Sequence, residues 1–189
     1  MRIISFFFLG LLGASGALFT ELVASNLYFI FSGQEVILNY YEKVTAFLLL
    51  VILIEEFFKF ILLQKFYAEK DGGFFPAIIL SGLGFASIES YFAFLNNGSA
   101  LSESFLIAAG GAIILHIVTY GIIALLLPAP DSGIFRFLQT ILAASAFHFT
   151  YNYLVIKGFG YGMIYVYLSS AILLIILAEL WRLSTAQKN

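Results

Sequence analysis

The chain has 189 residues, of which 62% are hydrophobic and 11% charged, with a mean hydropathy of +1.02. Soluble domains carry about 25% charged residues, and a fold of this length has too little interior to hide so much apolar surface from water, so composition excludes an ordinary soluble globule. A net charge of -2 without a basic run excludes a nucleic-acid surface, and the absence of Cys excludes disulfides, thiolate metal sites and a cysteine nucleophile.

An apolar run of about 20 residues suffices to cross the hydrocarbon of a bilayer. Six such spans follow one another: Ile3 to Phe31, Val44 to Phe66, Phe74 to Leu95, Phe105 to Leu127, Ile134 to Ile156 and Tyr161 to Trp181. Turn-forming clusters separate them, at Ser32-Gly33-Gln34-Glu35, Glu69-Lys70-Asp71-Gly72-Gly73, Asn96-Asn97-Gly98-Ser99, Pro128-Ala129-Pro130-Asp131-Ser132-Gly133 and Lys157-Gly158. The uniformly apolar runs lack the alternation of a membrane barrel. The expected fold is all-α, a polytopic membrane helical bundle of about six transmembrane helices, forming one domain over residues 1–189. Arg2 ahead of an apolar stretch, with Ala14-Ser15-Gly16-Ala17 further on, imitates a secretory signal. The apolar region continues well past a usual signal core, so it is expected to be kept as the first span.

Lys and Arg set the expected orientation. With the N-terminus inside, Arg2, Lys65, Lys70, Arg136, Arg182 and Lys188 fall on the cytoplasmic side, and Lys43 and Lys157 on the outer side. Six against two satisfies the positive-inside rule, giving a multi-pass protein of the cell membrane with both termini in the cytoplasm. Small residues, Gly13 and Ala17, Gly84 and Ala86, Ala108 to Gly111 and Ala143 to Ala146, mark where helices approach closely.

Ionisable groups interrupt the apolar spans. At the centre of a spanning helix each Glu or Lys costs roughly 2.5 to 3.5 kcal/mol, so such groups pair inside the bundle or line a wet site. Glu55 and Lys59 are four apart, and Glu56 and Lys59 three apart, so the ammonium reaches either carboxylate. His148 and Asn152 share a face of the fifth span, and His116 and Tyr120 a face of the fourth. Counted from the outer ends at ~1.5 Å per residue, Glu89 and His148 lie roughly 10 Å deep and Glu55 and His116 roughly 16 Å deep. These groups are therefore expected to converge in the outer half of the membrane. Glu21 in the first span has no motif and is expected to be a helix contact or a rim group, and Glu179 and Arg182 snorkel to the interface.

Glu55-Glu56-x-x-Lys59, then Phe85-x-x-x-Glu89, then the isolated His116, then His148-x-x-x-Asn152, in that order on consecutive helices, resembles the PrsW family of intramembrane proteases, relatives of the CAAX-processing and bacteriocin-processing endopeptidases. The resemblance covers Glu55 to Asn152, and Asn152 stands where some members carry Asp. It implies peptide-bond cleavage in membrane-anchored protein substrates, of which site-one cleavage of an anti-sigma factor is the best-known case.

Amide hydrolysis needs an activated water, oxyanion stabilisation and a proton for the leaving amine. Glu55 is the candidate general base, oriented by Glu56 and Lys59, with Glu89 a second carboxyl group for water or proton transfer. His116 and His148 donate to the oxyanion or shuttle the proton, and Asn152 holds the carbonyl or positions His148. No cofactor is required by this scheme. A zinc version uses Glu89, His116 and His148 as ligands with Glu55 as base, but the chain has no His-Glu-x-x-His helix, and the metal-free glutamate mechanism is favoured. Ser87 and Ser90 sit in no nucleophile motif and read as packing or hydrogen-bonding groups. Two non-proteolytic classes compete. A proton-coupled transporter would usually show internal repeats and interrupted helices, and a non-catalytic scaffold would not need both acid motifs.

Overall fold

The computed structural model describes residues 2–33, 45–67, 74–96, 103–127 and 134–157, together with part of the stretch 164–182. The expected joints at 34–35, 69–73, 97–99, 128–133 and 158 lie outside the described residues, as do Lys43, Lys70, Lys188 and both ends of the expected sixth span, Tyr161 and Trp181. Five helices are complete: α1 (Arg2–Ser32), α2 (Thr45–Tyr67), α3 (Phe74–Asn96), α4 (Glu103–Leu126) and α5 (Ile134–Lys157). The described residues between 164 and 182 are helical as well. A helix satisfies its own backbone, which is what an apolar segment without water requires.

Local chemistry fixes the helix ends. Gly33 closes α1 in the left-handed conformation, φ 67°, and its N–H donates to the Phe29 carbonyl at 2.8 Å. A residue with a Cβ strains there, which is why glycine suits this cap. Pro76 sits in the first turn of α3, where a missing N–H costs nothing. α4 stops at Leu126, just ahead of Pro128, whose ring disfavours helix in the residue before it.

Among the described residues, three helices, Ile4–Ser32, Phe75–Leu95 and Phe105–Leu126, are long and apolar enough to cross a membrane. α2 and α5 match them in length, at 23 and 24 residues, but α2 holds Glu55, Glu56 and Lys59 at its centre and α5 a run of polar groups from Arg136 to Asn152. Burial explains how those groups are accommodated. Glu56, Lys59 and His116 are completely buried and His148 nearly so, while Phe19, Phe31, Ile134 and Phe135 point outward with most of their surface exposed. Charge inside and hydrocarbon outside is the arrangement expected of a bundle solvated by lipid.

The helices form a ring in the order α1, α3, α4, α5, α2, and α2 also touches α4 across its middle. α1 and α3 lie closest, because glycines face each other across the contact. A Cβ at Gly10 would meet the Ser81 carbonyl oxygen and the Phe85 nitrogen, and one at Gly84 would meet the Phe7 carbonyl oxygen and the Leu11 nitrogen. The Ser81 hydroxyl adds a hydrogen bond to the Phe6 carbonyl at 3.1 Å. Gly13 and Gly16 admit Leu62 and Phe58 of α2, and Ala14 and Ala17 are buried beside them. Of the small residues expected at Ala108 to Gly111, Gly111 receives the Tyr151 hydroxyl, whereas Gly110 faces open space. Thr140 ties α5 to the end of α4 by donating to the Leu126 carbonyl at 2.9 Å.

Candidate functional site

Successive residues on a helix point about 100° apart, so Glu55 and Glu56 face different neighbours. Glu56 turns towards α5 and its own next turn. Its Oε1 accepts from the Lys59 ammonium at 2.6 Å and from His148 Nδ1 at 2.7 Å. The ammonium donates onward to Thr119 Oγ1 at 3.0 Å, and the Thr119 hydroxyl donates to the His116 carbonyl at 3.3 Å. Its remaining side meets the Phe85 ring, with the nitrogen 4.8 Å from the centroid. One buried cation is thus matched by a carboxylate, a hydroxyl and an aromatic face, and the chain of contacts pins α2, α4 and α5 together.

Glu55 turns the other way. Ligand-type atoms of Glu55, Glu89 and His116 lie within 4.8 Å of one another, and so do those of Glu55, Glu56 and His148. Glu55 belongs to both groups. His116 Nε2 donates to Glu89 Oε2 at 2.7 Å, and the two imidazoles stand edge to face, 5.7 Å apart. Phe85 packs on His116 with centroids 4.7 Å apart, so its ring lies against the imidazole as well as the Lys59 ammonium. Glu55 Oε2 stands 3.7 Å from His148 Nδ1, too far for a hydrogen bond, and is buried without a partner among the described residues. A buried carboxylate whose oxygens lie close to both imidazoles is suited to take a proton from a water.

Six of the residues singled out by sequence, Glu55, Glu56, Lys59, Glu89, His116 and His148, therefore come together. Asn152 does not join them by a hydrogen bond among the described residues; it is half-buried one turn beyond His148. Of the two carboxylates expected within reach of Lys59, the ammonium bonds Glu56, and it also donates to Thr119 of α4. The close ligand atoms group His148 with Glu55 and Glu56, and His116 with Glu55 and Glu89, whereas the expected zinc set is Glu89, His116 and His148. Ser87 bonds the Leu83 carbonyl at 2.7 Å within its own helix, and Ser90 is buried with no partner among the described residues. Tyr120 is fully buried with its hydroxyl likewise unpartnered. Glu179 and Arg182 pair with each other at 2.6 Å on an exposed surface.

Thr119 escapes sequence reasoning. A Thr in an apolar helix ordinarily bonds a carbonyl one turn back, and nothing in the sequence around it marks a partner on another helix. We expect Thr119→Val, which keeps the shape and removes the acceptor, to lower stability by about 1.5 to 3 kcal/mol, the worth of a hydrogen bond to a charged group. Thermal unfolding of the purified protein in detergent measures it, with Thr119→Ser as the control that keeps the parent's stability.

In comparisons with protein-family models, curated proteins and solved structures, none matches the chain.

Proposed function

We propose that the protein is an intramembrane endopeptidase that cleaves membrane-anchored protein substrates by means of a water activated by Glu55. The observation that carries this reading is the buried, unpartnered Glu55 Oε2 between the His116–Glu89 pair and the His148–Glu56–Lys59 chain. Glu55 takes a proton from water as the oxygen attacks the scissile carbonyl. An imidazole protonated at its second nitrogen donates to the oxyanion while keeping its bond to Glu56 or Glu89, and the proton held by Glu55 passes to the leaving amine as the C–N bond breaks. Lys59, Glu56 and Thr119 act at one remove, by fixing His148 and the spacing of α2, α4 and α5. The resemblance to the PrsW family supports the same assignment and extends it to site-one cleavage of an anti-sigma-type substrate.

In this reading α2, α5 and the segment from 161 to 181 also cross the membrane, giving six spans with both termini in the cytoplasm. The Lys and Arg distribution supports that orientation, in which Glu55 would lie in the outer half of the bilayer. A zinc reading is favoured by the two groups of close ligand atoms, of which Glu55, Glu89 and His116 form one. Two ligands on one tetrahedral zinc at 2.0–2.1 Å stand roughly 3.3 Å apart. His116 Nε2 and Glu89 Oε2 stand 2.7 Å apart, so an ion held by both would take the place of the hydrogen bond between them.

The test compares new protein N-termini in membranes of cells making the parent or Glu55→Gln. The expected result is a set of cut sites in outward-facing juxtamembrane regions of single-span proteins, present with the parent and missing with the variant. Identical N-termini in both samples would remove the proteolytic reading and leave a transporter or scaffold. Cleavage by the purified parent that survives exhaustive chelation selects the metal-free mechanism, and cleavage restored only by zinc selects the other.

A further inference from the structure

Phe85 and Glu89 stand four residues apart on α3, so the ring and the carboxylate share one face, and both reach His116 of α4. Glu89 Oε2 accepts from the imidazole edge at Nε2, 2.7 Å away, and the Phe85 ring lies 4.7 Å from the imidazole between centroids, tilted by 38°. Rotation of an imidazole about its bond to Cβ is soft, with broad minima half a turn apart. A ring packed on its face closes the angles between them, and a carboxylate at its edge then selects the orientation that presents Nε2 rather than the carbon-bound Cε1. Phe85 is itself held in place. Its ring takes the Lys59 ammonium 4.8 Å from the centroid and Tyr120 edge to face at 6.3 Å, and the α1 backbone at Gly10 leaves no room for a Cβ beside the Phe85 nitrogen.

We propose that Phe85 is a positioning residue for the reaction at Glu55: its ring fixes the plane of His116, and together with Glu89 it keeps a single imidazole orientation beside the base. The proposal rests on the proteolytic reading only in naming the reaction that the imidazole serves. Packing alone asks for any apolar side chain of this size, whereas a planar imidazole is held by a flat ring. The interval of four residues thus gains a purpose, since it lets one turn of α3 grip the same imidazole at its face and at its edge.

The chain has two histidines, so a nitrogen NMR spectrum of histidine-labelled protein in nanodiscs holds two imidazoles, assigned through Leu115 and Phe147, the residues before them. In the parent, His116 is expected as one tautomer with its proton on Nε2, and its carbon-bound protons are shifted by the Phe85 ring current. Phe85→Leu and Phe85→Met keep an apolar side chain without a flat face. In both, His116 is expected to show mixed tautomers while the His148 signals stay as in the parent, and Phe85→Tyr, which keeps the ring, restores the single tautomer. On a single-span peptide carrying a sequence that the parent cuts, kcat of the Leu and Met variants is expected to fall about 100-fold, the cost of misplacing a reacting group by about 1 Å, with KM little changed. Mixed His116 tautomers in the parent overturn the proposal without any variant. An unchanged His116 signal in folded Phe85→Leu or Phe85→Met overturns it too, and loss of the fold in both makes Phe85 a packing residue and overturns it as well. The spectra need no substrate, which keeps the two readings apart. Absence of cleavage by the parent, with His116 locked as expected, removes the peptidase and leaves the clamp, whereas parent-like kcat in a variant with mixed tautomers leaves the peptidase and sinks the positioning role.

Discussion

Glu55→Gln is expected to lower the turnover of any substrate the parent cuts by about 100-fold to 10,000-fold, the usual contribution of general-base catalysis. The substitution preserves volume and one carbonyl oxygen but puts an amide in place of the proton acceptor. Stability should change little, because Glu55 Oε2 makes no hydrogen bond to be lost and the Lys59–Glu56–His148 chain is untouched. Glu56→Gln makes the contrast, since it leaves the buried ammonium of Lys59 without its carboxylate and should weaken the fold itself. Near-parent turnover by folded Glu55→Gln, measured in proteoliposomes, would refute the assignment of the base.

Lys59→Met should destabilise the protein by about 3 to 5 kcal/mol, the cost of breaking a buried ion pair from one side. Methionine fills much of the lysine volume, so the loss comes from charge rather than from a void. Glu56 would remain buried with His148 as its one remaining partner among those described. The double variant Lys59→Met/Glu56→Gln removes both charges and should recover a large part of the loss. Survival of monodisperse protein after heating, followed by size-exclusion chromatography, measures both. A single variant as heat-stable as the parent would show that the pair contributes nothing to the fold.

The helices were legible because membrane spans announce themselves by length and composition. The expected second span, Val44 to Phe66, and the observed α2, Thr45–Tyr67, differ by one residue at each end. The fourth begins at Glu103 rather than Phe105, since a helix end tolerates polar residues that a hydropathy reading discards. Spacing also put Lys59 within reach of both Glu55 and Glu56. Which of the two it takes depends on Thr119, sixty residues away in sequence, and intrahelical spacing carries no information about that choice. The same limit hid the partition of the histidines. His116 and His148 were both legible as polar groups needing partners, but their assignment to Glu89 and to Glu56 is decided by how α3, α4 and α5 rotate against α2.

The glycine contact between α1 and α3 has a mechanical corollary. Where backbone rests on backbone, as at Gly10 and Gly84, no flexible side chain remains to take up sliding, so the two helices behave as one stiff plank. Glu21 and Glu89 ride on that plank, and their separation is set by it. On the proposed reading, a bulky guest entering from the lipid would part the bundle along another seam and leave α1 and α3 together.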